Sequence, residues 1–470
     1  VRPVKMKLLF IFALLALSSC TTHVSARSAA EWRSRTLYQI LVDRFSPTQQ
    51  TTAPCNDIST YCGGTWRGIQ NHLDYVQGMG FDAIWISPIV KNTPGGYHGF
   101  WLEDLSKVNP HFGTEADLQA LIADAHNRGM FVMVGVVANH VGPVGTNYTG
   151  IPQFIDPSNY HTCGPCPADC TIQDWDNQPQ VELCRLSGLP DLNQSNPYVA
   201  KTLISWVRTL ATKYNVDGVR VDTVPEVSKT FWTPFLQAAG VFSLGEVFNG
   251  RVSYVASYQP PLGSLLSYPL FFTLKGVFGY KNSMYQIRDT LNDYAANFKD
   301  PSVLGTFLDN HDNPRFLSFQ SDLQLYKAGL AFTLLTNGIP IVYYGTEQGF
   351  HGAIDPNNRE PLWPTGFNQQ APLYQFLSQV ISWRKKYTVW QFPQVERYVD
   401  DQFYAFTRGN LFLATTNVGS SGPQIQRQIT YHPYALGTKL CNLFWAGDCV
   451  KVSANGFPVY LNNGEVKILV

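Results

Sequence analysis

Three acidic residues each stand at the end of a short apolar run that resembles a buried strand. They are Asp222 in Gly218-Val-Arg-Val-Asp222, Glu246 in Val241-Phe-Ser-Leu-Gly-Glu246, and Asp312 in Thr306-Phe-Leu-Asp-Asn-His-Asp312. Two carboxyl groups that face each other across a sugar bond are what glycoside hydrolysis requires. The pattern therefore predicts an enzyme that works with a pair of carboxyl groups.

The acids need a scaffold that brings the ends of separate strands together. Strand-like runs alternate with amphipathic helical segments along most of the chain, which predicts an α/β fold, a (β/α)8 TIM barrel. In such a barrel the side chains at the strand carboxyl ends meet on one open face. The runs cover 36–42, 83–87, 131–137, 216–221, 241–247, 304–308 and 339–343, with a weaker run near 265–271.

Two regions depart from this alternation. Residues 141–191 lack periodicity and are rich in Pro, Gly, Asn, Asp and Cys, which predicts an inserted domain after strand three. Short strands and turn signals over 391–470 predict a C-terminal antiparallel β-sandwich domain. The catalytic barrel is therefore expected over 31–140 and 192–390.

Residues 1–30 are expected to be a signal peptide and leader. Basic residues precede an apolar run over 8–17 that is too short to cross a bilayer, with cleavage expected after Ala26 or Ala30. Leu17-Ser-Ser-Cys20 also resembles a bacterial lipoprotein signal. The mature protein is expected to be secreted and extracellular, with no membrane association after removal of the signal.

Eight of the nine cysteines remain once Cys20 leaves with the leader. An even number in a secreted chain predicts disulfides, and close spacing predicts the pairs Cys55–Cys62 and Cys441–Cys449. The remaining four could pair in more than one way, or bind zinc as four thiolates: Cys163, Cys166, Cys170 and Cys184.

The amino-acid composition indicates which classes of molecule the protein could bind. Charged residues make up 14% of the chain and the formal net charge is zero, which argues against nucleic acid, since that partner favours a basic surface. Aromatic residues also make up 14%, and they serve either core packing or flat platforms for sugars. Asn147 and Asn193 begin N-glycosylation sequons.

Five motifs occur in order along the chain and carry a resemblance to a known family. They are Gly135-Val-Val-Ala-Asn-His140, Leu189-Pro-Asp-Leu192, Gly218-Val-Arg-Val-Asp222, Gly245-Glu246-Val247 and Phe307-Leu-Asp-Asn-His-Asp312. Together they resemble glycoside hydrolase family 13, the α-amylases, and within it the secreted fungal type. The resemblance extends over about residues 31–470.

The resemblance implies a role for each acid. Asp222 is expected to be the nucleophile that forms a covalent glycosyl ester, and Glu246 the general acid and then base. Glu246 needs a raised pKa for that role near neutral pH. Asp312 is expected to bind sugar hydroxyls and to help distort the ring. Arg220, two positions before Asp222 on the same strand, would hold the nucleophile ionised.

The resemblance also implies contacts with the sugar. His98, His140 and His311 match family histidines that hydrogen-bond the sugar at the cleaved bond; three histidines could instead bind zinc, although their spacing is unlike a zinc site. Phe100 stands where the family usually has a stacking Tyr. Further expected substrate-binding residues are Tyr97, Trp101, Trp175, Arg220, Glu226, Asp355 and Arg359. Asp355 and Arg359 could instead form an ion pair on a solvated loop.

A calcium ion is the cofactor that the family implies, between the barrel and the inserted domain. The matching positions are Asn139, Glu182 and Asp191, with a main-chain carbonyl near Glu226. These are oxygen ligands from separate segments, as calcium prefers.

This chain departs from the family at two places. Gly135 stands where the family has an Asp that buttresses the arginine matching Arg220, so we expect water, an anion or another acid to pair with Arg220. Pro225 and Glu226 replace the Lys-His pair that fungal α-amylases place on the leaving-group side. The second change affects how an acceptor is held.

The expected function is endo-hydrolysis of α-1,4-glucosidic bonds in starch, glycogen and malto-oligosaccharides with retention of configuration, by a monomer. One alternative is an α-glucanotransferase or an exo-acting α-glucosidase of the same family, which the Pro225-Glu226 change motivates. Another is a non-catalytic glucan-binding relative, which the presence of all three acids disfavours.

Overall fold

A computed structural model describes residues 27–470, so the predicted signal segment over 1–26 lies outside the described residues. Within that range the strands are β1 (Leu37–Ile40), β2 (Ala83–Ile86), β3 (Val90–Asn92), β4 (Leu102–Val108), β5 (Phe131–Val136), β6 (Gly218–Val221), β7 (Phe242–Gly245), β8 (Gly305–Thr306), β9 (Ile339–Tyr343), β10 (Gln394–Val399), β11 (Phe403–Arg408), β12 (Leu411–Thr416), β13 (Ile425–Ile429), β14 (Lys439–Cys441), β15 (Cys449–Lys451), β16 (Phe457–Leu461) and β17 (Lys467–Leu469).

The helices follow the strands as the alternation predicts. They are α1 (Ala29–Arg33), α2 (Val42–Phe45), α3 (Trp66–Gln70), α4 (Leu73–Gly78), α5 (Glu115–Asn127), α6 (Gln178–Leu183), α7 (Pro197–Tyr214), α8 (Lys229–Ala239), α9 (Val252–Ala256), α10 (Gln259–Leu262), α11 (Tyr268–Leu274), α12 (Tyr285–Asn297), α13 (Phe316–Phe319), α14 (Leu323–Leu335) and α15 (Pro372–Lys386). Short 3₁₀ turns occupy Tyr148–Gly150, Pro157–Asn159, Leu186–Gly188, Pro301–Val303, Thr346–Gln348, Trp363–Thr365 and Val389–Gln391, and a π turn occupies Lys275–Gly279.

The central sheet is a closed parallel barrel. Its strand order is β7-β6-β5-β2-β1-β9-β8, and Leu265 and Leu266 bridge the gap between β7 and β8 through parallel contacts with Gly245 and Gly305. The eighth strand is thus reduced to a two-residue bridge. The weaker run near 265–271 was expected to be a strand, but Tyr268 already begins α11, because Pro269 stands in its first turn.

Local sequence explains where the barrel helices begin and end. α5 starts with a capping box, in which Thr114 and Asp117 bond each other's main-chain N–H groups. α7 begins with Asn196 as its cap and Pro197 in its first turn, and ends at Asn215 in the left-handed conformation.

The first residues of the described range belong to the fold. Ser28 and Glu31 form a capping box at the start of α1, and Arg27 Nε bonds Asp217 Oδ1 at 3.2 Å. Trp32 closes the lower end of the barrel against Phe131 and Phe242. Removal of the predicted leader through residue 30 would delete Ser28 and with it the capping box of α1, whereas cleavage after Ala26 keeps the capping box.

The inserted region between β5 and α7 is built from short turns and disulfides. Cys163 pairs with Cys170, and Cys166 with Cys184, so these four thiols are not a zinc site. The pairs Cys55–Cys62 and Cys441–Cys449 are confirmed.

The C-terminal part is all β. A four-stranded antiparallel sheet of order β10-β11-β12-β17 packs with the pairs β13–β16 and β14–β15 around one apolar core. Arg408 of β11 joins this part to the barrel, since its guanidinium group donates to the carbonyl oxygens of Leu335 and Thr336 at the carboxyl end of α14. Among residues 27–470, the helices are all too short or too polar to cross a bilayer.

Candidate active site

Asp222, Glu246 and Asp312 lie at the carboxyl-end face of the barrel. Asp222 follows β6 and Glu246 follows β7, while Asp312 lies on the loop after β8. The main chain holds the first two in place, since Asp222 N–H donates to the Val136 carbonyl at 3.0 Å and Glu246 N–H to the Val221 carbonyl at 2.8 Å. The strand ends therefore deliver the acids to one face, as the sequence predicts.

Arg220 joins two of the acids. It is fully buried in β6, and one Nη contacts Asp222 Oδ1 while the other lies 2.5 Å from Glu246 Oε1. The rings of Trp85 and Phe100 lie near the guanidinium. Because a single guanidinium contacts both carboxyl groups, Asp222 and Glu246 lie side by side, as a retaining glycosidase requires.

Glu246 is the acid with the strongly perturbed environment. Burial is the main cause that raises its pKa to about 8; the charges of Asp312 and Asp222 add to the rise, while Arg220 opposes it. Tyr268 O–H donates to Glu246 Oε1 at 3.1 Å. At neutral pH the carboxyl group is therefore mostly protonated and able to donate a proton.

Asp312 is more open than the other two acids, with a third of its side chain exposed. His311 Nε2 lies 3.3 Å from Asp312 Oδ2, and Arg359 Nη2 lies 3.7 Å from Asp312 Oδ1. The Gln39 amide lies 2.9 Å from His311 Nδ1, which favours a proton on Nε2, toward the cleft.

The three predicted histidines surround the acids. His98 Nδ1 accepts a hydrogen bond from Phe100 N–H, and His140 Nε2 lies 3.2 Å from the Phe100 carbonyl oxygen. Burial lowers the pKa of His98 and His311 well below the ordinary value, with the Arg359 charge as the second cause. Burial also lowers the pKa of His140. Neutral imidazoles suit hydrogen bonding to sugar hydroxyls.

A cleft of about 610 Å³ contains most of the predicted residues. Phe100 stacks on His311 with ring centroids 5.0 Å apart, which leaves an aromatic face in the place of the family Tyr. The predicted residues that line the cleft are His98, Phe100, Trp101, His140, Trp175, Asp222, Glu226, Glu246, His311, Asp312, Asp355 and Arg359.

Two predicted substrate-binding residues do not line the cleft and act from behind it. Tyr97 is buried, and its hydroxyl lies 3.1 Å from both Asp355 Oδ1 and Arg359 Nη1, so it positions that pair. Arg220 reaches the cleft only through Asp222 and Glu246.

Sequence reasoning missed several residues of the site. Phe248 lines the cleft and has half of its side chain exposed. It directly follows the motif Gly245-Glu246-Val247, which is the signal that could have found it. Tyr268 supports Glu246 and Gln39 supports His311, but neither Tyr268 nor Gln39 belongs to one of the motifs. Other missed lining residues are Leu186, Ser187, Leu189, Thr223 and Asn249.

Gly135 leaves no room for the Asp that the family carries there. A Cβ added at Gly135 would lie 2.8 Å from Pro88 Cδ, closer than such atoms approach in proteins. The acids that pair with Arg220 are instead Asp222 and Glu246, and Arg220 Nε has no partner among residues 27–470.

Three members of the predicted calcium set converge between the barrel and the inserted region. One terminal atom of the Asn139 amide lies 3.0 Å from Asp191 Oδ1 and 3.1 Å from the Glu226 carbonyl oxygen. With the amide oxygen turned inward, three oxygen atoms face one another, which suits a hard cation; with the nitrogen inward, they form hydrogen bonds. Asp191 also contacts His161 Nδ1 at 2.6 Å.

Glu182 is the member of the set that the structure does not bring into contact with the others. Its carboxylate accepts a hydrogen bond from Gln178 Nε2 at 2.9 Å, beside His161 in a second cavity. Over residues 27–470 no cluster of three His, Cys, Asp or Glu side chains could hold a metal by itself. A calcium ion here would therefore depend on Asn139 and the main-chain carbonyl.

Comparisons with known proteins agree with this geometry. The family description "Alpha amylase, catalytic domain" matches residues 39–385. The chain is 35% identical to an α-amylase of Saccharomycopsis fibuligera over 97% of this chain and 95% of that protein. It is 41% identical to α-amylase 1 of Lipomyces kononenkoae over 78% of this chain, a match that spans 60% of that protein. An α-amylase structure from Malbranchea cinnamomea has a TM-score of 0.90 and 38% identity, and covers 94% of this chain and 97% of that chain.

Proposed function

The chain belongs to the α-amylase family, and we propose that it hydrolyses α-1,4-glucosidic bonds within starch, glycogen and malto-oligosaccharides with retention of configuration. The observation that carries the proposal is the pairing of Asp222 and Glu246 on the buried Arg220. A guanidinium that contacts both carboxyl groups keeps them close together, and a close pair of carboxyl groups favours covalent capture of the sugar.

In the first step, Glu246 donates its proton to the glycosidic oxygen. Asp222 attacks the anomeric carbon, and the bond to the leaving sugar breaks. The fixed positive charge of Arg220 balances the Asp222 carboxylate before the attack. Because burial raises the pKa of Glu246, this carboxyl group still carries its proton at neutral pH.

In the second step, the Glu246 carboxylate removes a proton from water. The water oxygen attacks the anomeric carbon, and Asp222 leaves as a carboxylate. Neutral His98, His140 and His311 would bond sugar hydroxyls around the reacting ring, and Asp312 would accept hydrogen bonds from others.

We further propose that a calcium ion binds Asn139, Asp191 and the Glu226 carbonyl, with Glu182 as the fourth member of the set. The support is the approach of three oxygen-bearing groups from separate segments. The ion would join the inserted region to the barrel and so stabilise one wall of the cleft.

We also propose that the protein is a monomer, that it acts outside the cell, and that it cleaves bonds within the glucan chain. Four disulfides support an oxidising location. Asn147 begins a sequon in an exposed turn and is the better placed N-glycan acceptor, because Gln194 in the second sequon is buried.

A trapping experiment tests the mechanism. Glu246→Gln should still form the ester from α-maltosyl fluoride, whose leaving group needs no acid, but should release it slowly, and mass spectrometry should find the sugar on Asp222. Asp222→Asn is the matched control that carries no sugar. A sugar on another residue, or wild-type protein that releases no reducing sugar from starch, contradicts the proposal.

A further inference from the structure

Asp312 differs from the other two acids in how its main chain is held. Asp222 and Glu246 follow β6 and β7, and their N–H groups bond carbonyl groups of the neighbouring strands. Asp312 lies on the loop after β8, and its N–H donates to Asn310 Oδ1 of the same loop at 3.1 Å. A loop side chain that must meet a sugar ring in one position needs support from outside its own loop.

This support comes from Asn358, on the loop after β9. Its side chain is fully buried, and its amide nitrogen donates to the carbonyl oxygens of His311 and Asn313, both at 2.9 Å. These two residues stand immediately before and after Asp312 in the sequence. One amide group therefore fixes the main chain on both sides of the acid.

Arg359, the next residue along, contacts the same loop. Its Nε donates to the His311 carbonyl oxygen at 3.0 Å, and its Nη2 lies 3.7 Å from Asp312 Oδ1. The loop after β9 thus contacts the loop after β8 through two adjacent side chains, one of which lines the cleft while the other lies behind it.

The main chain of Asn358 and Arg359 is itself held by the barrel. The Tyr343 hydroxyl in β9 donates to the Asn358 carbonyl oxygen at 3.2 Å, and Arg44 Nη1 in α2 donates to the Arg359 carbonyl oxygen at 2.8 Å. Both Tyr343 and Arg44 are fully buried. A side chain whose own main chain is fixed in this way can hold another loop in one position.

We propose that Asn358 is a positioning residue for the reaction, which holds the Asp312 carboxylate against the hydroxyls of the reacting sugar without touching the sugar itself. The inference rests on the proposed function, because Asp312 acts there on the distorted ring. A group that acts mainly in the transition state affects kcat when it moves, and a displacement of about 1 Å can cost about 100-fold in rate. Loss of the Asn358 amide should therefore lower kcat and change KM little.

The first test measures kcat and KM on maltopentaose for the whole enzyme and for Asn358→Ala. We expect kcat to fall about 10- to 100-fold, with KM changed less than about 2-fold. A rise of KM with kcat unchanged would overturn the inference.

Asn417→Ala is the matched control for a general loss of stability. Asn417 is also buried, and its amide donates to two carbonyl groups, those of Asn282 and Asp401, where the C-terminal part meets the barrel. The melting temperature should fall in both variants, while kcat should stay near the wild-type value in Asn417→Ala. An equal fall of kcat in the two variants would overturn the inference.

A double-variant cycle shows whether Asn358 acts through Asp312. Asp312→Asn removes the charge that Asn358 positions, so adding Asn358→Ala to it should lower the rate on α-maltosyl fluoride by less than about 3-fold more. Equal losses in both backgrounds, with an active wild type, would overturn the inference and leave the proposed function intact. Wild-type protein that releases no reducing sugar from starch would contradict both. If Asn358→Ala does not fold, Asn358→Ser gives the same comparison, because its shorter hydroxyl cannot reach both carbonyl groups.

Discussion

Arg220 Nη2 lies 2.5 Å from Glu246 Oε1, on the guanidinium that also contacts Asp222. One buried cation thus stabilises the nucleophile and positions the acid. Gly135 stands in the place of the family buttress, so the carboxyl groups that contact Arg220 are those of the two reacting residues.

We expect Arg220→Lys to lower kcat by at least about 100-fold, because a single ammonium cannot contact both carboxyl groups in the same geometry. Lysine keeps the charge but leaves one of the two carboxyl contacts unmade in a buried place, so the melting temperature should also fall. Arg67→Lys, at a partly exposed ion pair with Asp117, is the control that should change neither quantity much. Wild-type turnover in Arg220→Lys would contradict the shared role.

The alkaline limb of the kcat/KM profile should lie near pH 8. Glu246 must be protonated to act as the acid, and burial raises its pKa to about 8, so activity falls as the pH rises through that value. Tyr268 donates a hydrogen bond that favours the ionised form. Tyr268→Phe should therefore raise the Glu246 pKa further and move the limb to higher pH, whereas Tyr294→Phe, at a buried tyrosine bonded to Ser267, should leave it in place.

A chelator should lower the melting temperature if calcium joins the inserted region to the barrel. At a free calcium concentration 100 times Kd the ion would contribute about 2.7 kcal/mol, and excess chelator would remove it. Asp191→Asn should lose this sensitivity, whereas Asp156→Asn, at an exposed cap in the same region, should keep it. Identical melting curves with and without chelator in the wild type would exclude a stabilising calcium ion.

Gly135→Asp should be active but less stable than the wild type. Its Cβ would approach Pro88, and such overpacking typically costs about 1–3 kcal/mol. Gly135→Ala introduces the same Cβ without a carboxylate, so the two variants separate crowding from buttressing. A higher kcat in Asp than in Ala would show that a carboxylate there assists Arg220; equal kcat would show crowding alone.

The barrel and its three acids could be predicted because each strand and the acid that follows it are adjacent in the sequence. The run before Asp222 matches β6 and the run before Glu246 matches β7, with ends that differ by a few residues. The pairing of the four clustered cysteines was not predictable, since spacing alone allowed several connectivities.

Residues that reach the site only because the folded barrel brings distant segments together could not be predicted from the sequence. Tyr268 belongs to an apolar run that suggested a strand, and it contacts Glu246 only because α11 begins directly after the two-residue bridge. Thr223 offered no signal either, since its left-handed conformation is imposed by the loop. Glu182 matched the family position, yet its side chain bonds Gln178 instead of the other oxygen groups.

The short bridge at Leu265 and Leu266 gives the barrel a joint between the segments that carry Glu246 and Asp312. Main-chain hydrogen bonds join this segment to Gly245 on one side and to Gly305 on the other. A substitution at the joint could change the spacing of those acids without touching either one. Evolution thus has a place to adjust reactivity at a distance, through a short seam of the ring.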